Sequence, residues 1–155
     1  MRGEKLLDYL QGNNVAFQII HHPVAYSSAK IAHLAHVHGR ELAKPVIVKI
    51  NGKMAMVVMT ANQKVNLTLL KALYGTQDIE LASETEFVKR FPDCEMGAMP
   101  PFGNLYGMDE IISDDLTKDE EIVFNAGTHT ELIKMKYHDF ESLVHPKIVN
   151  FRFTA

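Results

Sequence analysis

The sequence predicts an α+β protein: a central mixed, mainly antiparallel sheet with surrounding helices. Short β-rich runs alternate with short amphipathic helical segments, without the strict strand–helix rhythm of a parallel α/β fold. Asn51-Gly52 joins two β-rich runs and demands a hairpin, hence antiparallel pairing. The 155 residues are 46% hydrophobic and 23% charged, a globular composition with enough chain for one ordinary core. A single domain over residues 1–155 is therefore expected.

Along the chain, Glu4 to Gln11 places Leu6, Leu7 and Leu10 on one side of a short helix, which Gly12, Asn13 and Asn14 stop. In "VAFQII", Val15, Phe17 and Ile19 alternate with Ala16 and Gln18, a strand pattern that ends before His22-Pro23. Ser27 or Ser28 can cap a helix running toward His36, with Gly39 as its stop. "PVIVKINGKMAMVVM" is the hairpin. "VNLTLLKALYG" reads as a helix with Leu67, Leu70 and Leu73 inward and Gly75 at its end. "DIELAS" is a short strand, and Ser83 with Glu86 makes a capping box for a helix through about Phe91. "DEIIS", "EEIVFNAG" and "ELIKMK" are further strands, "YHDFESLV" a closing helix and "KIVNFRF" a last extended segment.

Several function classes fall away on composition. No apolar stretch approaches the roughly 20 residues that span a bilayer, and "MRGEKLLDYL" lacks the features of a signal peptide. The lone cysteine, Cys94, has no internal disulfide partner, which suits a reducing cytoplasm. A net charge of -3 argues against a general polyanion binder, though not against a local basic patch. Asp93 and Glu95 flank Cys94 and would raise its thiol pKa, so a structural cysteine is the better reading. His33, His36 and His38, with His21-His22 nearby, could bind a metal at i, i+3 spacing, but no carboxylate accompanies them as in H-E-x-x-H. Surface or partly buried histidines are expected there. The acidic run in "DEIISDDLTKDEE" reads as a solvated loop or strand end.

One stretch is unusual. "CEMGAMPPFGNLYG", residues 94–107, is rich in chain breakers yet almost uncharged, carrying Met96, Met99, Phe102, Leu105 and Tyr106. A solvent-facing linker would be polar. It reads instead as a loop fixed in shape and folded against something.

With "IIHHPVAYSSAKIA", the ordered stretches "ELAKPVIVKINGK", "FPDCEMGAMPPFG" and "FNAGTHTELIKM" resemble the YbaK / prolyl-tRNA synthetase-associated domain family, from about His22 to Val144. That family contains free-standing aminoacyl-tRNA deacylases and editing domains of prolyl-tRNA synthetases. The resemblance implies a cytoplasmic trans-editing hydrolase that deacylates mischarged aminoacyl-tRNA, with no metal or other cofactor. Its partners would be the acceptor end of aminoacyl-tRNA and an aminoacyl-tRNA synthetase.

The resemblance carries the family's lysine to Lys44, its G-x-x-x-P loop to Gly97 through Pro101, and its Gly-Ser/Thr-His to Gly127, Thr128 and His129. Pro45 departs from the pattern and removes one backbone N–H beside the lysine. Gly97, His129 and Lys44 are thus the implied catalytic residues. Lys44, Met99, Pro101, Phe102, Gly127 and Thr128 would bind substrate, Lys44 by meeting a phosphate. Fixed backbone N–H groups near Gly97 would stabilise the oxyanion of ester hydrolysis, and Pro100-Pro101 would hold the loop. Lys44, Gly97, Pro101 and His129 should border one concave pocket. A non-catalytic tRNA- or synthetase-binding module of the same fold is the alternative, and a metal hydrolase on the histidine cluster is a third reading.

Overall fold

The computed structural model describes residues 4–26, 30, 31, 33 and 41–151. Helix α1 (Glu4–Gly12) leads into β1 (Phe17–His21), an edge strand on which Ile19 remains 39% exposed. The predicted helix toward His36 falls largely outside the described residues. Strands β2 (Ala43–Ile50) and β3 (Lys53–Thr60) form the hairpin in full register, from Ile50 opposite Lys53 to Ala43 opposite Thr60. Its turn uses positive φ at both Asn51 (52°) and Gly52 (82°), as a type I′ turn requires.

Helix α2 (Leu67–Tyr74) is capped by the Asn66 side chain, which accepts the Leu69 N–H, and ends at Gly75. Its buried residues are Leu69 and Leu70; Leu73 is 46% exposed rather than inward. The buried stripe of this short helix runs through Leu69 and Leu70, and the row that continues to Leu73 faces solvent. After β4 (Ile79–Leu81), α3 (Glu84–Phe87) opens with both halves of the Ser83–Glu86 capping box and continues as a 3₁₀ turn, Val88–Arg90. The acidic run resolves into β5 (Asp109–Ser113) and one helical turn, α4 (Asp114–Thr117), started by the Ser113 hydroxyl. Strands β6 (Glu121–Asn125) and β7 (Glu131–Lys136), helix α5 (Tyr137–Val144) and β8 (Lys147–Val149) complete the order.

The strands form two sheets, ordered β1-β7-β6 and β4-β2-β3-β5-β8. The first is antiparallel throughout; the second is antiparallel over β4-β2-β3 and parallel over β3-β5-β8. They touch at one parallel bridge, Leu42 with Val123, where the Val123 N–H donates to the Glu41 carbonyl. Pro45, three residues on, has no N–H with which to extend that pairing.

Strand alternation sorts the side chains. One face of each sheet, with Ile47, Met56, Val58, Ile112, Phe124 and Ile133, meets α1 and α5 in the main core. The opposite face of the larger sheet lies under α2, and that of the smaller, with Val123 and Leu132, lies under Ala25 and Ile31.

Candidate active site

The site is built where the breaker-rich loop meets the turn between β6 and β7. Two main-chain bonds staple them: Glu95 N–H donates to Gly127 O (2.8 Å), and Gly127 N–H donates to Ala98 O (3.0 Å). Both glycines need positive φ, +89° at Gly97 and +94° at Gly127, which other residues rarely adopt. The His129 ring packs beneath Gly97, so closely that a Cβ on residue 97 would stand 3.3 Å from His129 Cε1. His129 Nε2 lies 2.8 Å from Met96 O, and the carbonyl, which only accepts, fixes Nε2 as the protonated nitrogen. Tyr26 covers the ring at 4.6 Å between centroids. The segment before it grips the same turn, His22 N–H to Thr130 O (2.9 Å) and Ala25 N–H to His129 O (3.3 Å).

Lys44 comes to this end of the molecule through the bridge between the sheets. Chain direction is shared at Leu42 and Val123, so two residues onward Lys44 lies toward the end of β6 that leads into the Gly127–His129 turn. Its Nζ donates to Ala61 O at 3.4 Å, not to the loop residues. Burial lowers its pKa, and the nearby Lys64 adds to that. Among the described residues it has no carboxylate partner. Two lysines close enough to repel each other, one of them half-buried, form a place that an anion such as phosphate relieves.

The other sequence-predicted residues divide. Gly97 is the exposed tip of the loop, whereas Met99, Pro101, Gly127 and Thr128 are buried. Phe102 does not line a pocket: it has no accessible surface and stands edge-on to Phe124 (5.3 Å) and Phe140 (5.2 Å) in the main core. Met99 is 5% exposed, and its sulfur accepts the Gly97 N–H at 3.2 Å. The amide expected to face an oxyanion is therefore held by a weak acceptor that a charged oxygen can displace. Thr128 Oγ1 is spent locally on Glu131 (3.3 Å) and Thr130 (3.4 Å).

The loop is apolar because most of it is core wall. Cys94, 5% exposed and 3.4 Å from the Tyr106 hydroxyl, belongs to that wall. Lys64, Tyr26, His22 and Asn125 were not singled out by sequence. His22 showed there as a strand breaker before proline, a neighbour of the histidine cluster and the start of the family resemblance, without a role of its own. Asn125 showed only inside the strand run "EEIVFNAG" and the motif "FNAGTHTELIKM".

Among the described residues no group of three or more His, Cys, Asp or Glu could hold a metal ion. His36 and His38 lie outside the described residues. A cavity of about 590 Å³ lined by Thr117, Glu120, Lys136 and His138 shares no residue with the site.

Residues 22–143 match the family model of the aminoacyl-tRNA editing domain. The chain is 26% identical over 158 residues to the multifunctional Ser/Thr-tRNA deacylase ProXp-y of Escherichia coli (strain K12), covering 98% of this chain and 93% of that one. A stretch of 85 residues is 31% identical to the proline–tRNA ligase of Bacillus cereus (strain AH187), spanning 55% of this chain but only 15% of the ligase. The fold matches the crystal structure of a candidate trans-editing enzyme for prolyl tRNA synthetase with a TM-score of 0.83 at 13% identity, over 96% of this chain and 94% of that one. With its fold, its stapled glycine loop and a family match from residue 22 to residue 143, this chain belongs to the aminoacyl-tRNA editing domain family.

Proposed function

We propose that this chain works as a one-domain editing hydrolase that removes amino acids from mischarged tRNA in trans, without a metal ion. Family membership supports the reaction class, and the Ser/Thr-tRNA deacylase likeness points to small hydroxylated amino acids as first candidates. The observation that carries the reading is the Gly97–His129 contact inside a doubly stapled loop.

An aminoacyl ester is already activated, so hydrolysis needs a positioned carbonyl, a water and donors for the developing oxyanion. The Gly97 amide supplies one such donor once the ester oxygen replaces Met99 Sδ. His129 acts as a positioning residue: with Nε2–H committed to Met96 O, it holds the loop tip. Lys44, with Lys64 nearby, takes a phosphate of the acceptor end. A translation substrate implies work in the cytoplasm beside a synthetase; no helix among the described residues is long and apolar enough to cross a membrane.

The test is deacylation of a panel of aminoacyl-tRNAs, with and without a strong chelator. Turnover of seryl- or threonyl-tRNA unaffected by chelator is the expected result. Activity restored only by added zinc would sink the metal-free reading. The Met99 sulfur on the Gly97 amide favours a second reading, a binding module without turnover. Tight tRNA binding with no hydrolysis of any member of the panel would establish it.

A further inference from the structure

Three buried acceptors around the β6–β7 turn have no hydrogen-bond donor: His22 Nε2, Asn125 Oδ1 and His129 Nδ1. Their residues are 7%, 6% and 6% exposed. Each histidine uses its other nitrogen on a main-chain carbonyl, His22 Nδ1 on Pro23 O at 2.7 Å and His129 Nε2 on Met96 O at 2.8 Å. A carbonyl can only accept, so the N–H sits there and the orphan nitrogen carries a lone pair. All three atoms want a donor.

Register places two of them on one face. Asn125 is paired with Leu132, and Leu132 with Ile20, and directly opposed residues share a face of the sheet. His22 lies two residues beyond Ile20, with its N–H on Thr130 O, so it continues the same row. Leu42 packs with Leu132 and Val123 on that face, and Lys44, two residues further along β2, follows it. His129 lies in the turn that His22 and Ala25 grip, against Gly97. His22 and Asn125 therefore share the face that Lys44 follows, and His129 stands beside the glycine assigned to the ester oxygen.

A buried set of lone pairs without donors selects a ligand rich in N–H and poor in lone pairs, and an ammonium is that group. An aminoacyl ester carries one on the carbon next to its scissile carbonyl. We propose that His22 Nε2 and Asn125 Oδ1, with His129 Nδ1, form a subsite for the α-ammonium of the aminoacyl group. This rests on the deacylase reading and extends it. The subsite fixes the carbonyl relative to Gly97, and it rejects esters whose nitrogen is acylated, such as peptidyl-tRNA, which lack the cation and add bulk.

The experiment compares the aminoacyl-tRNA hydrolysed fastest in the panel with its N-acetyl derivative, each rate divided by spontaneous hydrolysis of the same ester. The wild-type chain should favour the free amine by about 100-fold, the worth of one or two charge-assisted hydrogen bonds. Asn125→Leu should slow the free-amine substrate by about 10-fold or more and the N-acetyl substrate little, so that the ratio collapses. Asn125→Asp, which keeps the acceptor, should preserve the ratio. A folding defect would lower both rates together, and the wild-type ratio needs no variant at all. Equal wild-type rates on both esters would overturn the subsite while leaving the deacylase reading intact. Loss in Asn125→Leu on seryl- but not alanyl-tRNA would also overturn it, assigning the acceptor to a side-chain hydroxyl. No hydrolysis of any panel member would defeat the deacylase reading itself, and the subsite with it.

Discussion

Gly97→Ala separates a loop that takes part in the chemistry from one that is only scaffold. At φ +89° an alanine is strained, and left-handed backbone costs a non-glycine residue about 1–2 kcal/mol. The new Cβ would also stand 3.3 Å from His129 Cε1 and 3.8 Å from Nε2. The ring has little room to retreat, because Tyr26 covers it at 4.6 Å and Nε2 is bonded to Met96 O. The loop tip must therefore shift by a few tenths of an ångström, carrying the amide with it. If about 1.4–2.8 kcal/mol of this appears in the transition state, turnover falls about 10- to 100-fold. Lysine contacts to phosphate are untouched, so tRNA affinity should change little.

Single-turnover deacylation alongside direct tRNA binding reads both quantities. Adding His129→Ala to Gly97→Ala isolates the steric part of the cause: with the ring gone the Cβ has space and only the backbone strain at φ +89° remains, so Gly97→Ala should cost less in the His129→Ala background than in the wild type. Full activity in Gly97→Ala, or two losses that multiply, would refute the reasoning.

Lys44→Ala should raise KM, with kcat nearly kept, and lower the salt dependence of binding by about one phosphate contact; normal binding with lost hydrolysis would move the lysine into the chemistry. Glu110 gives a pH prediction for stability. It accepts the Gly103 N–H at 2.7 Å, Oε2 has no partner, and burial pushes its carboxyl from 4.5 up to about 8. The folded state then holds the proton more tightly than the unfolded chain, so this group's contribution falls as pH rises from about 4.5 to about 8 and is level above. At about 1.4 kcal/mol per pH unit that interval sets a ceiling of roughly 5 kcal/mol, of which relaxation and water entry should leave about 1–3. Glu110→Gln, which can still accept from Gly103, should gain that much at pH 8.5 relative to pH 5 in chemical denaturation. Parallel stability curves for the two proteins would contradict it.

Local chemistry was legible in the sequence because its partners lie within a few residues. Asn51-Gly52 specifies its hairpin, Ser83 and Glu86 satisfy each other's backbone donors, and Gly75 ends α2 by taking a left-handed φ of 62°. The ordered motifs around Lys44, Gly97 and His129 were also visible, since each occupies a short contiguous stretch.

Burial and convergence were not legible in this way. Phe102 sits in the same apolar run as Gly97, yet one is fully enclosed and the other exposed, because the loop turns inward between them onto Phe124 and Phe140. Leu73 continues the pattern of Leu70 but is 46% exposed. Asn125, at the end of β6, and His22, just beyond the end of β1, lie far apart in sequence, and only the register through β7 aligns them. The sequence by itself determined the turns, the caps and the family's residues, because these depend on backbone geometry and near neighbours. The tertiary structure alone decided which polar atoms would be buried without partners, because desolvation is a property of what folds over a residue rather than of the residues beside it.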